Sequence, residues 1–335
     1  MSRYVITIDA GTTNTRVHLF DQDFALIASA SRPVGVRNTA IDGNSEKLRA
    51  AVRDCVRELL EGAALTGAQL QCVLASGMIT SNVGLYELPH VAAPAGVDEL
   101  AAGAKSVLLE DVCPTPIWFI PGVKNFTTPV DTGNFERMDM MRGEEAECLP
   151  LIESHRGELP LLLVLPGSHT KFVGVGADGR ISACVTSITG ELLDVITKNT
   201  IIADAVGHGF VTAQSYDRDM VLLGRRTAER VGLGRACFAG RILSQFTQND
   251  AEKIANFILG AVLQNDAAAL LGSSALRAGR DATVVVTGKE PLRQAIADVL
   301  RDTGAFAQVR EERPSDGAPL AALGARMVAQ RLGLL

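Results

Sequence analysis

Asp9-Ala10-Gly11-Thr12-Thr13-Asn14 sits between two runs that read as strands, and the fold follows from how that junction is read. Before it, Tyr4-Val5-Ile6-Thr7-Ile8 is short, apolar and rich in β-branched residues, the composition of a buried strand. After it, Thr15-Arg16-Val17-His18-Leu19-Phe20 alternates as a second strand would. The junction is then a tight turn of small hydroxyl and amide side chains about Gly11. Such a turn brings backbone N–H groups and the Thr12, Thr13 and Asn14 side chains toward one point, as a phosphate requires. Asp9 at its entrance would repel phosphate unless a cation lies between them, which suggests a water-held Mg²⁺ shared with a nucleotide. The same residues would also serve an ordinary hairpin, with Gly11 meeting turn geometry and Asp9 as an edge polar residue. The rest of the chain has to decide.

At 335 residues the chain is too long for one small core, and its length suggests about two domains. A hydrophobic content of 47% with 21% charged residues is that of a well-packed soluble globule. A net charge of −6 and a pI near 5.5 argue against nucleic acid as a partner, since no basic face compensates. Met1-Ser2-Arg3 runs straight into the first strand, and no uninterrupted apolar stretch suits a bilayer span, so a cytoplasmic protein without membrane contact is expected. The six cysteines are scattered without a C-x-x-C pair and read as reduced core thiols.

Further along, Phe24 to Ala28 reads as a third antiparallel strand, and Asn44 to Gly62 as a helix with an apolar stripe from Leu48 to Leu60. Val73-Leu74-Ala75 is a short buried strand opening into the polar loop from Ser76 to Asn82, the place where α/β folds bind ligands. A helix begins near Val97, a strand covers Thr115 to Ile120, and Gly143-Glu144-Glu145 opens a helix with acids in its first turn. Leu161 to Leu165, Pro166-Gly167-Ser168-His169-Thr170 and Lys171 to Val175 then repeat the opening pattern of strand, glycine-hydroxyl turn and strand. Laying Gly167 on Gly11 places Ser168 on Thr12 and Val173 on Val17 without a gap. A repeat of this size predicts two similar lobes, residues 1–157 and 158–335, facing each other across a cleft. The second half continues with helices at 188–202, 215–230 and 250–271, a strand at Thr283 to Val286 ending in Thr287-Gly288-Lys289, and helices at 291–300 and about 319–332.

Two glycine-hydroxyl turns and the later turn at Gly288 resemble the sugar-kinase, hsp70 and actin superfamily. The particular strings narrow this. Asp9-x-Gly-Thr-Thr-Asn-x-Arg16, Gly77-Met-Ile-x-Ser-Asn82, Pro121-Gly-Val123, Met141-Arg-Gly-Glu-Glu145 and Leu165-Pro-Gly-x-His-x-Lys171 occur in order. Together they are similar to the 2-dehydro-3-deoxygalactonokinase family over essentially the whole chain. Ala10 and Phe172 stand where that family usually has Trp, Ser168 where it has Thr, and Thr287-Gly288-Lys289 replaces an Ala-Gly-Thr type turn.

The resemblance implies an α/β fold of two ribonuclease-H-like lobes, the actin-like ATPase or sugar-kinase fold, around a central cleft. It also implies transfer of the ATP γ-phosphate to the terminal hydroxyl of a 2-keto-3-deoxy sugar acid, with ATP and Mg²⁺ as cofactors and a small sugar acid as partner. Gly11, Thr12, Thr13, Asn14, Gly167, Ser168, His169 and Lys171 would then hold phosphates, and Gly288 would pack on adenosine. Asp9 would face the metal. Glu144 is the first choice for the base that removes the hydroxyl proton, with Glu145 orienting it or binding metal. Arg142 and Arg16 are candidates for the substrate carboxylate or the transferring phosphate, since a guanidinium fork matches either. Gly77, Met78, Ser81 and Asn82 would contact the sugar.

Each residue also has a plainer reading: first-turn acids matching a helix dipole, arginines in salt bridges, a loop polar because it is exposed, and His18 and His90 as structural. The rival functions are a kinase of another sugar acid or polyol, and a non-catalytic nucleotide sensor on the same fold. Oligomeric state is left open, a homodimer included.

Overall fold

A computed structural model describes residues 3–247, 250–276, 282–313 and 317–335. In the first half, β1 (Tyr4–Ala10), β2 (Thr15–Phe20) and β3 (Leu26–Arg32) form an antiparallel meander. The chain then makes α1 (Val36–Asp42) and α2 (Glu46–Gly62) before β4 (Leu70–Gly77) returns parallel to β1. After β4 come β5 (Val91–Ala92), α3 (Val97–Gly103), β6 (Lys105–Val107), β7 (Ile117–Phe119), β8 (Val123–Lys124) and β9 (Met140–Met141). The sheet order is β3-β2-β1-β4-β7-β6, and β5, β8 and β9 form a separate small sheet.

The second half, entered through α4 (Glu144–Ser154), rebuilds this plan. There β10 (Leu161–Leu165), β11 (Thr170–Val175) and β12 (Ile181–Ser187) form the meander, followed by α5 (Thr189–Asn199), α6 (Arg218–Val231), α7 (Leu233–Phe246) and α8 (Ala251–Gly272). Next, β13 (Thr283–Val286) returns parallel to β10, α9 (Leu292–Asp302) leads to β14 (Gln308–Glu311), and α10 (Leu320–Arg331) closes the chain. The sheet order β12-β11-β10-β13-β14 matches the first sheet from β3 to β7.

The duplication is therefore real, but its gapless register is not. Asp9 pairs with Arg16 across the first turn, whereas Leu165 pairs with Lys171 across the second. The second turn is one residue shorter. Past the turn, Lys171 corresponds to Arg16 and Val173 to His18, not to Val17. Since side chains alternate with period two, one residue decides which face each occupies. Phe172, which stands where the family usually has Trp, is fully buried in the second-half core with Leu162 and Val164.

Each sheet buries one face under its own helices and the other toward the partner sheet. On the inner side, α4 and α10 pack together and share one core with Val5, Phe20 and Leu74 of the first sheet and Leu161, Leu163 and Val285 of the second. At this crossing a Cβ on Gly324 would overlap the Ala146 carbonyl, so glycine sets how close the two helices lie. The closing helix thus contacts α3, α4, β1 and β4, elements of the opposite sequence half. Each fully buried Leu, Ile or Phe in such a core is worth roughly 1.5–3 kcal/mol. No uninterrupted apolar stretch of span length was expected; α8, interrupted by Asn256 and by Gln264 to Asp266, is still long and apolar enough on average to cross a membrane. With 72% of its apolar window buried inside the fold, it is the central helix of the second core.

Candidate active site

Both glycine-hydroxyl turns border one cleft. In the first, the Gly11 N–H donates to the Asn14 carbonyl at 2.9 Å, closing the loop over Thr12 and Thr13. The start of α1 supports it from behind: Val36 and Arg37 N–H groups donate to the Gly11 and Thr12 carbonyls at 3.2 and 2.9 Å. In the second, the Gly190 N–H at the start of α5 donates to the Ser168 carbonyl at 2.9 Å. Beneath it the Thr170 and Thr189 hydroxyls lie 2.6 Å apart, and Thr189 donates to the buried Asp266 at 2.6 Å. Burial raises that carboxyl to about 6.

A cavity of about 610 Å³ opens between the turns, lined by Asp9, Gly11, Thr12, Met78, Ser81, Asn82, Glu144, His169 and Lys171 among others. A second chamber of about 320 Å³ meets it at Asp9 and Glu147 and is bordered by Arg16, Pro166, Thr287, Gly288 and the start of α10. Two buried hydroxyls on its wall, Thr7 and Thr287, have no protein partner.

The predicted residues separate in this frame. Arg16 donates to Asp9 at 3.2 Å, and burial raises the Asp9 carboxyl while Arg16 opposes the rise. Thr13 and Asn14 bond to each other at 2.9 Å on the turn and do not line either chamber, and neither do Gly167 and Ser168. Gly77 does not line them either. Its φ is +88°, and it packs beside Ala10, Asp9 and Gly143, which lets the start of α4 reach the end of β1. Gly288, at φ +116°, packs on Pro166 of the second turn. His169 pairs with Glu191 at 3.0 Å.

The two candidate acids at the start of α4 are unlike. Glu144 lines the cavity, and its Oε2 accepts from the Arg142 N–H at 3.1 Å. Glu145 is fully buried, turns away from the cavity and accepts the Gly143 N–H with both oxygens, at 2.8 and 2.9 Å. Burial, then the Glu144 charge, pushes it up to about 8. Glu147, one turn beyond Glu144 on the same face, borders both chambers and was missed in the sequence. Its spacing from Glu144 was the available signal. Burial and the Asp9 and Glu144 charges push it up to about 8.

Arg142 does not present a free fork. Nη1 donates to the Thr80 carbonyl and hydroxyl at 2.6 and 2.7 Å, and Nη2 to the Leu88 carbonyl at 2.9 Å and His90 Nδ1 at 3.2 Å. All four terminal N–H bonds are spent on holding the 80–90 loop. Its terminal nitrogens thus meet the protein's own acceptors rather than pointing freely into the cavity. Among the described residues no three His, Cys, Asp or Glu side chains cluster as a ready metal site.

Two α/β halves of one plan, with paired turns over a cleft, form the actin-like ATPase and sugar-kinase fold. A crystal structure from Sinorhizobium meliloti, provisionally described as a 2-dehydro-3-deoxygalactonokinase, superposes with a TM-score of 0.74 at 22% identity, covering 99% of this chain and 100% of that one. The sequence model of the 2-keto-3-deoxy-galactonokinase family matches residues 9–323, and the chain belongs to that family of carbohydrate kinases. It is 27% identical over 282 residues to the “Probable 2-dehydro-3-deoxygalactonokinase DgoK1” of Rhizobium meliloti (strain 1021), covering 82% of each chain. It is 30% identical over 202 residues to the 2-dehydro-3-deoxygalactonokinase of Escherichia coli (strain K12), covering 60% of this chain and 59% of that one.

Proposed function

We propose that the protein transfers the γ-phosphate of ATP to the 6-hydroxyl of 2-dehydro-3-deoxygalactonate, giving the 6-phospho sugar acid and ADP in galactonate catabolism. The observation that carries the reading is the single cavity bordered by Gly11 and Thr12, by His169 and by Glu144. Glu144 beside both turns supports its meeting an acceptor hydroxyl between them.

In this reading the sugar acid lies against Met78, Ser81 and Asn82, and the phosphates lie between the turns at Gly11–Asn14 and Gly167–His169. Adenosine packs toward Gly288. The acceptor O–H bond breaks, its proton passes to Glu144, and the oxygen forms a bond to the γ-phosphorus as the bond to the β-phosphate oxygen breaks. Glu145 holds the first turn of α4 by its grip on the Gly143 N–H. Asp9 fits a Mg²⁺ held through water, because this ion needs only one or two carboxylates beside phosphate oxygens. When bound, it supplies neutralisation of phosphate charge. Arg16, paired to Asp9, orients that carboxylate.

The test is ADP release with ATP and a panel of sugar acids, aldoses and polyols. The reading expects turnover with 2-dehydro-3-deoxygalactonate well above the others. Equal turnover with a neutral polyol, or none with the acid, contradicts it.

A further inference from the structure

One wall of the main cavity carries positive charge that the reaction as described does not use. Lys171 is only 7% exposed, yet it lines the cavity. Its ammonium donates to the Met140 carbonyl at 2.9 Å and to the Thr186 hydroxyl at 2.7 Å, two neutral acceptors. Among the described residues it forms no ion pair with a carboxylate. It is linked to Asp139 only through the Thr186 hydroxyl, which donates to that acid at 2.8 Å. An ammonium has three protons, so one remains for a ligand. A buried cation without a paired anion is costly, and an anionic ligand offsets the cost.

His90 lines the same cavity. An arginine can only donate, so the contact from Arg142 Nη2 to His90 Nδ1 makes Nδ1 the acceptor. The imidazole is then the neutral tautomer with its proton on Nε2, a second donor. Burial and the nearby charges of Arg142, Lys124 and Lys171 hold its pKa down at about 4, which keeps that tautomer at neutral pH. Hydrogen bonding through the small sheet joins the two donors: Val91 beside His90 donates to Gly122, and β8 pairs with β9, whose Met140 receives Lys171. The cavity thus holds these two donors together with the acids Asp9, Glu144 and Glu147 and, close to His90 in the chain, Glu87.

We infer that Lys171 Nζ and His90 Nε2 form the subsite for the carboxylate of the sugar acid, with Arg142 as the positioning residue that fixes the His90 tautomer. This rests on the sugar-acid reading above, and it moves Lys171 from the nucleotide phosphates to the acceptor. It also explains why a neutral polyol of the same length would be a poor substrate.

The experiment compares wild type, Lys171→Met, Lys171→Arg and His90→Gln. Steady-state kinetics read KM for the acid and for ATP, and calorimetry reads binding of D-galactonate against its neutral amide without turnover. Lys171→Met is expected to raise KM for the acid about 10- to 100-fold with KM for ATP within about twofold, the scale of one charge-assisted hydrogen bond. It should also abolish the preference for acid over amide, which Lys171→Arg should partly restore. His90→Gln should reduce that preference several-fold. Retained ATP binding by Lys171→Met shows that it folds; if it does not fold, Lys171→Arg and His90→Gln carry the comparison. A KM for ATP that rises with acid discrimination intact would assign Lys171 to phosphate and overturn the inference. If wild type binds galactonate over the amide but phosphorylates no keto-deoxy acid, the reaction falls and the subsite stands.

Discussion

Glu144 and Glu145 are adjacent acids of the same type, and one peptide unit gives them different chemistry. Successive residues on a helix point about 100° apart. That rotation turns Glu144 to the cavity and Glu145 into the core against the Gly143 N–H. Glu144→Gln is expected to lower kcat about 10²- to 10⁴-fold, the usual range for a lost general base, with ATP affinity in a binding titration unchanged. An equal loss in Glu145→Gln alone, with Glu144→Gln active, would reverse the assignment. Glu145 also makes a pH prediction. Its pKa is raised from the ordinary 4.5 to about 8, so the folded state binds more protons than the unfolded chain between those values. This contribution is fully present below about 4.5 and is lost as pH rises through about 8. Stability of Glu145→Gln relative to wild type, from urea titrations, should therefore improve across that window by a few kcal/mol, at about 1.4 kcal/mol per pKa unit. A pH-independent difference contradicts it.

The elements that could be read from sequence are those whose hydrophobic period is long enough to count. The first two strands, α2, α8 and the α4 start lie where alternation, a helical stripe or first-turn acids place them. The third strand was shifted, running from Leu26 to Arg32, because its polar edge carries little pattern. The two-residue strands β5, β8 and β9 have no period at all, and their pairing depends on residues far along the chain. That small sheet carries the His90–Arg142 contact, which is why this part of the site was invisible and His90 read as structural. The one-residue difference between turns was hidden likewise, since only cross-strand pairing reveals it. Gly35 gives an element-scale prediction. A Cβ there would lie 2.5 Å from the Gly11 and Thr12 carbonyl atoms, where α1 supports the first turn. Gly35→Ala should weaken ATP binding at least tenfold in a titration, through displacement of that turn. Gly272→Ala, with nothing within 4 Å of its Cβ, should leave ATP binding unchanged. Equal affinity in both variants would show that α1 does not shape the turn.

Across the whole molecule, two copies of one plan have diverged into different tasks. The turn of each copy borders the shared cleft; α4, packed with α10 between the sheets, brings Glu144 to one chamber, and the turn after β13 brings Gly288 to the other. Asp9 in the first copy has Leu165 as its counterpart in the second, so the carboxylate that fits a metal occurs on one side only. Arg16 has Lys171 as its counterpart: Arg16 pairs with Asp9, whereas Lys171, among the described residues, bonds two neutral acceptors. The opening Asp9–Asn14 stretch therefore gains meaning from its partner half. The family and the two-turn cleft were legible in the sequence because both rest on short contiguous strings. The polarity of the cavity was not, because it is assembled from residues 9 to 171. The central claim is tested most directly by phosphorus NMR of the product formed from ATP and 2-dehydro-3-deoxygalactonate. The account predicts ADP and a phosphomonoester whose phosphorus couples to the C6 methylene protons. Coupling to any other proton, or acceptor-independent release of inorganic phosphate as the only product, would contradict it.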